Sequence, residues 1–408
     1  MAPKVLFVDD EEAMLAMIRR QMLLRGAAEA RFTAKGEVAL AFLEAEPFDV
    51  VVADLHMPDM DGADLLAEVA RLQPGAARLI LSGGYDPSDM VRYALIAHQI
   101  ILKPVTVDNL LATVDALARL KEVVTNPALA EMVGRMRSLP VVPEVYLRLQ
   151  KLLSSETVSL EDVGEVIALD PGLTTTILRL CNSAFFGQGR EITSPVQAVR
   201  LLGTEIIKAL ALFGGLFRTL SPVEAAAAEL SNVWRHSLRT AGCARNIALA
   251  ARGGVKFSEQ CFLAGLLHDI GKILFMDNFP EEYGKIQVWA RERQASLHRL
   301  EREEFGVCHA EIGAYLMGLW ALSPEVTQAV AFHHDLAGSG EPALDILAVL
   351  HAADVLEREI SGGQGEDDRF DEGYLAAAGC LEHLDEWRRI CRENLGEEQT
   401  EDQNGGET

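Results

Sequence analysis

Two hydrophobic rhythms divide the chain. Over roughly its first 120 residues, short apolar runs alternate with amphipathic stretches. The runs Val5–Val8, Val50–Ala53, Leu79–Leu81 and Ile100–Leu102, with a shorter one at Ala30–Phe32, predict buried strands. Helical stretches such as Glu12–Leu24 and Ala63–Leu72 separate them, each long enough to cross over a sheet, and a last helix is expected over Val107–Leu120. That alternation predicts a doubly wound, five-stranded parallel sheet. From about Ala128 the strand signals stop. Val145, Leu149, Leu152 and Leu153 make one apolar stripe at helical spacing. Ser159 with Asp162 reads as a helix cap, and Asp170-Pro171-Gly172 as a helix breaker. No internal repeat stands out, and the expected fold class is α/β followed by all-α.

Composition narrows the setting. A chain of 408 residues exceeds one ordinary core and predicts at least two globular units. With 49% hydrophobic and 24% charged residues it has the balance of a folded, water-soluble chain. A membrane span needs roughly 18 consecutive apolar residues. The best candidate, Ala209–Phe217, is half that length and lies between Lys208 and Arg218. Near the N-terminus the apolar run from Lys4 to Val8 meets Asp9 and Asp10 at once, which fits a buried strand and not a signal peptide. A cytoplasmic location without membrane insertion is expected. Six cysteines, none in a C-x-x-C pair, read as buried hydrophobes of a reducing compartment. Thirty-seven basic residues face 61 acidic ones, a net charge of −24, so no DNA partner is expected. Gly362–Asp368 is glycine-rich and acidic, and the stretch from Gly396 holds five acids and no base; both are expected to lack fixed structure.

The chemistry of the first region lies at strand ends. Asp9 and Asp10 close the first predicted strand and Asp54 the third, so their carboxylates should converge beyond the carboxyl edge of the sheet. Clustered anions repel, and a hard divalent cation such as Mg²⁺ relieves that while keeping coordination positions for a phosphate. Ser82 closes the fourth strand, and Lys103, followed by Pro104, the fifth. A hydroxyl and a fixed ammonium at the same edge suit the equatorial oxygens of a transferred phosphoryl group. An ionised aspartate is a competent nucleophile for it.

The ordered set Asp9-Asp10, Asp54, Ser82 and Lys103-Pro104, with Asp54-Leu55-His56-Met57-Pro58 and Asp61-Gly62, resembles the two-component receiver family over residues 1–120. The resemblance implies that Asp54 accepts phosphate from a sensor histidine kinase. It also implies that Asp9, Asp10, Asp54 and the main-chain carbonyl of His56 hold Mg²⁺, with Ser82 and Lys103 contacting the phosphoryl group. One departure is Ile100, where the family usually carries an aromatic residue three before the lysine.

Beyond a linker at 121–138, the stretch from Leu139-Pro140 to Ile207 resembles the first half of an HDOD domain. It contains Leu169-Asp170-Pro171, then Leu180-Cys181-Asn182-Ser183-Ala184-Phe185-Phe186-Gly187, followed by Ser194, Ala198 and Leu201-Leu202-Gly203. An HD-like half from about Trp234 completes a domain expected over 139–356, followed by a helical extension at 357–395 and the acidic tail at 396–408. His268-Asp269-Ile270-Gly271-Lys272 sits in an apolar helical run, Phe262–Phe275. Burying an imidazole with a carboxylate is costly unless each is paired or bound to metal. Resemblance to the HD superfamily implies a metal site from His236, His268, Asp269, His309, His333, His334 and Asp354, holding two iron, manganese or zinc ions. Lys272 is the candidate phosphate-contacting, catalytic cation. His298, His351 and His383 are expected to be structural. Where HD-GYP phosphodiesterases carry Glu and a Gly-x-Gly-Tyr-Pro loop, this chain has Asp335 and Gly338-Ser339-Gly340-Glu341-Pro342, and Asn232 stands where some of them have Glu. These departures speak against cyclic di-GMP hydrolysis.

Three readings of the output follow. The first is a signalling adaptor that meets a downstream protein, with a homodimer through the receiver's last helices as another contact. The second is a phosphorylation-gated metal-dependent phosphohydrolase acting on a nucleotide or cyclic dinucleotide. The third is a nucleotide sensor without turnover.

Overall fold

In the computed structural model the described residues are 3–25, 29–83, 96–119, 125–136, 143–153, 158–182, 192–219, 224–251, 253–320, 322–362 and 369–404. They fall into two compact units, residues 1–139 with 301–331 and residues 140–300 with 332–408.

The first unit opens with β1 (Val5–Val8), α1 (Glu12–Arg25), β2 (Ala30–Thr33), α2 (Gly36–Ala45), β3 (Val50–Asp54) and α3 (Gly62–Leu72). β4 (Ala77–Ser82), β5 (Gln99–Leu102), α4 (Val107–Arg119) and α5 (Pro127–Arg135) follow. Every strand pairs in parallel, in the order β2-β1-β3-β4-β5. β1, β3 and β4 are buried on both faces, which is why each reads as a mainly apolar run, β4 with Arg78 buried near its start. The order reverses between β1 and β3, the switch point where a doubly wound sheet opens a crevice at its carboxyl edge. The five expected strands are all present in one parallel sheet, with bounds within two residues of those expected.

Glycine matters at one position here. A Cβ on Gly62 would fall 1.9 Å from the Asp54 carbonyl oxygen, and the Gly62 N–H donates to the Leu55 carbonyl at 2.8 Å. Asp61 caps α3 by accepting the Ala63 N–H.

The helical part continues with α6 (Glu144–Leu153), α7 (Leu160–Ala168), α8 (Pro171–Cys181), α9 (Pro195–Leu202), α10 (Thr204–Thr219) and α11 (Glu224–Ala250). Next come α12 (Gly254–Leu267), α13 (Ile270–Asn278), α14 (Pro280–Arg293), α15 (Leu297–Phe305), α16 (His309–Leu319) and α17 (Pro324–Phe332). α18 (Ile346–Ile360), α19 (Glu372–Ala377) and α20 (Leu384–Asn404) close the chain. Ser159 and Asp162 form a reciprocal capping box at α7. Asp170 does more than end that helix: its side chain accepts the Leu173 N–H and Pro171 opens α8. α20 carries helical backbone through Gly396 to Asn404, into the stretch expected to lack structure. The motif residues 183–187, Leu139-Pro140 and most of the Gly362–Asp368 loop lie outside the described residues.

The apolar run Phe262–Phe275 is not one helix. α12 stops at Leu267 and α13 starts at Ile270, with Asp269 at φ −97° and ψ 10° between them. His268 keeps helical angles and the departure comes at Asp269; both are fully buried. No helix among the described residues is long and apolar enough to cross a membrane.

Candidate functional sites

In the first unit, parallel pairing brings Asp9, Asp54, Ser82 and Lys103 to the carboxyl edge of the sheet. Asp9, Asp10 and Asp54 offer oxygens within 4.8 Å of one another, a cluster able to hold a metal ion. Asp9 and Asp54 are buried and Asp10 is exposed. The Lys103 ammonium bridges the two buried acids, 2.9 Å from Asp54 Oδ1 and 3.1 Å from Asp9 Oδ2. The other Asp9 oxygen accepts the Glu11 N–H at 2.8 Å. Burial raises the Asp54 carboxyl, Lys103 works against that, and Asp9 and Asp10 add to it; the net direction is up. Lys103 is raised in turn, its two acid partners outweighing burial. His56 is exposed just beyond β3, and Ser82 is buried at the end of β4. An all-oxygen donor set with an open side fits a hard cation such as Mg²⁺.

The second unit builds a different cluster from α11, α18, the α12–α13 break and His333. His236 Nε2, from α11, stands 3.0 Å from Asp354 Oδ1, 3.2 Å from His268 Nε2 and 3.7 Å from Asp269 Oδ2. His268 Nε2 lies 3.4 Å from Asp269 Oδ2 and 3.6 Å from Asp354 Oδ1. Its Nδ1–H donates to the Gly265 carbonyl at 2.8 Å, which fixes the tautomer. Two donor groups arise: His236, His268 and Asp354, and His268, Asp269 and His333. The mix of imidazole nitrogen and carboxylate oxygen suits zinc, iron or manganese better than magnesium. The residues present therefore fit a transition metal.

Cations also enter this cluster. Lys272 donates to Asp269 Oδ2 at 2.6 Å, and Arg358 lies 3.0 Å from Asp354 Oδ1. Burial opposes charge on His236, yet Asp354 and Glu357 outweigh it and lift the imidazole to about 9. Burial likewise works against Asp354, but Arg358, His236 and His268 hold its carboxyl well below the usual carboxylate range.

The remaining expected residues divide. His334 stacks between neighbours, its ring 4.0 Å from that of His333 and 4.3 Å from that of His298. His309 belongs to the first unit, where its Nδ1–H and backbone N–H both donate to Glu301 Oε2, at 2.6 and 2.8 Å. His351 accepts the Asp371 N–H through Nε2 at 2.9 Å, a structural contact. Glu357, Arg358 and Glu301 are missing from the expected set. Glu357 and Arg358 follow Asp354 by three and four residues on the same helix, the spacing that shares a face.

The family model of the response regulator receiver domain matches residues 5–115, and that of the HDOD domain matches residues 139–336. An uncharacterized protein of Treponema pallidum is 29% identical over 238 residues, 58% of this chain and 46% of that protein. The transcriptional regulatory protein GlrR of Escherichia coli is 30% identical over 112 residues, 27% of this chain and 25% of that protein. The chain thus spans less than half the length of either. An HDOD domain protein of unknown function from Geobacter sulfurreducens has a crystal structure that superposes with a TM-score of 0.50. That match is 25% identical and covers 66% of this chain and 88% of that one.

Proposed function

We propose, for a chain that joins a response regulator receiver domain to an HDOD domain, the role of a phosphorylation-switched signalling adaptor. Asp54 is the acceptor. Its carboxylate oxygen attacks the phosphorus of a phosphohistidine on a cognate sensor kinase, an acyl phosphate forms, and the P–N bond breaks, its electron pair staying on the departing imidazole nitrogen, which takes a proton from water. Asp9, Asp10, Asp54 and the His56 carbonyl would hold Mg²⁺, which offsets the negative charge that gathers there. Esterification removes the charge that Lys103 pairs with on Asp54, so its ammonium turns to a phosphoryl oxygen while Ser82 donates to another. The observation that carries this reading is the Lys103 bridge between Asp9 and Asp54 at the switch point. Acetyl phosphate should label the full chain at one site, and Asp54→Asn should take no label. Labelling of that variant at the same stoichiometry would sink the assignment.

For the output, contact with a downstream protein is favoured by charge. The buried carboxylates of the helical unit already lie against Lys272, Arg358 and His236, so nothing in their balance demands an ion. One observation favours a second reading, a metal-dependent phosphohydrolase gated by the receiver: two donor groups share His268 with Nε2 turned into the cluster. There, His236, His268, Asp269, His333 and Asp354 would hold the metal, which would supply an activated water, and Lys272 would steady a phosphate oxygen. The metal content of purified protein, beside a His268→Ala, Asp269→Ala variant, separates the two. Metal near two ions per chain, lost in the variant, favours the hydrolase; folded protein that takes none favours the adaptor.

A further inference from the structure

Three histidines of the candidate set are held through Nδ1. His236 Nδ1–H donates to Glu357 Oε2 at 2.5 Å, His268 Nδ1–H to the Gly265 carbonyl, and His309 Nδ1–H to Glu301. His98 is held the other way, its Nδ1 accepting the Arg78 N–H at 3.0 Å. An acceptor on Nδ1 keeps the proton there and turns the Nε2 lone pair to whatever lies opposite; histidines that bind metal are almost always held this way.

Glu357 is built for that task. It is 4% exposed, and its second oxygen accepts the Ser361 hydroxyl at 2.7 Å, so neither oxygen swings freely. It follows Asp354 by three residues on α18, so one face of one helix presents both an acid of the cluster and the acid behind His236. Opposite Glu357, across the imidazole, stand Asp354, His268 and Asp269. Glu301 repeats the device at His309 within the first unit, completely buried.

We propose that Glu357 is a positioning residue: it orients His236 as a ligand for a transition-metal ion held with His268 and Asp354. The proposal rests on the metal-binding half of the second reading above and needs no turnover. The rival role is a plain buried ion pair that ties α11 to α18. Glu357→Gln separates them, because the amide oxygen still accepts the Nδ1–H while the charge behind the imidazole is gone.

The experiment is a Co²⁺ titration of the full chain, read by its visible absorption and by competition with a chelator, with melting of the metal-free protein alongside. Wild type should bind, and Glu357→Gln should bind about 10- to 100-fold more weakly with a changed absorption band. Ser361→Ala, at an exposed helix end, releases only the second oxygen; it should weaken binding severalfold even if Glu357→Gln fails to fold. Binding in wild type with unchanged affinity in the variants overturns the role of Glu357 and leaves the metal site standing. No Co²⁺ uptake by folded wild type, with His268→Ala behaving alike, overturns both.

Discussion

The two acidic clusters of this chain solve one electrostatic problem in opposite ways. At the sheet edge three carboxylates share one ammonium, and Asp10 is open to solvent. The deficit of positive charge leaves room for a divalent cation and an incoming phosphoryl group. In the helical unit Asp269, Asp354 and Glu357 face Lys272, Arg358 and a His236 lifted to about 9. Three acids there meet these three cations, and Arg239 stands 3.9 Å from Glu357 as well. The first cluster is short of positive charge; the second is not, and a metal enters only by displacing a proton or an ammonium. A set of ligand-type residues is thus a weaker statement than the charge left over among them.

The sharpest break of that comparison is at the sheet edge. Asp54→Asn should abolish acetyl-phosphate labelling while the helical unit keeps any metal it binds, measured on the same preparation. Next in size is Gly62→Ala. A Cβ 1.9 Å from the Asp54 carbonyl forces β3 or α3 to move, and a destabilisation of about 2–4 kcal/mol is expected in urea unfolding, with slower labelling of Asp54. An unchanged midpoint would mean that the loop after β3 absorbs the methyl group and that the receiver pocket is softer than its packing suggests.

How far each cluster could be read from the sequence follows from its backbone. β1, β3 and β4 are apolar runs, and each pocket residue sits at a fixed offset from a run's end; hence Asp9, Asp54, Ser82 and Lys103 were found with their places in the fold. The helical cluster has no such ruler. Its members come from α11, α18 and a break inside what reads as one apolar helix, and helical periodicity says nothing about which helices meet. The split at His268-Asp269 was missed because the apolar residues Ile270, Ile273, Leu274 and Phe275 resume at once after it and no proline marks the break. Arg358 and Glu357 were missed because charges near the end of a helix ordinarily face water; here both reach the cluster.

Titration tests the helical cluster directly. His236 binds its proton more tightly in the folded chain, about 9 against the ordinary 6.5. The resulting stability is fully present below pH 6.5 and is lost as the pH rises through 9; on the order of 2 kcal/mol should disappear across that window. Asp354 and Glu357, both held below their usual values, act at the other end: their contribution is present above the carboxylate range and is lost as the pH falls through it. Melting of metal-free protein should therefore show a plateau bounded on both sides, and His236→Gln should flatten the alkaline limb. An alkaline limb that persists in that variant would place the titrating group elsewhere.

The smallest expected effect bears on the comparison most closely. Lys272 Nζ occupies Asp269 Oδ2 at 2.6 Å, where a metal ion would otherwise sit. If the helical cluster is a metal site held closed by its own cations, Lys272→Met removes the competitor and should tighten Co²⁺ binding about tenfold, worth about 1.4 kcal/mol. The metal-free variant should melt lower, since Asp269 is left buried without its partner. If the cluster is a scaffold, the same substitution destabilises the fold and recruits no ion. Tighter binding with a lower metal-free melting point would make the helical cluster resemble the sheet edge, an acid surplus awaiting a cation. Destabilisation alone would keep the two apart, and would mean that Lys272 serves as a structural counter-ion to Asp269.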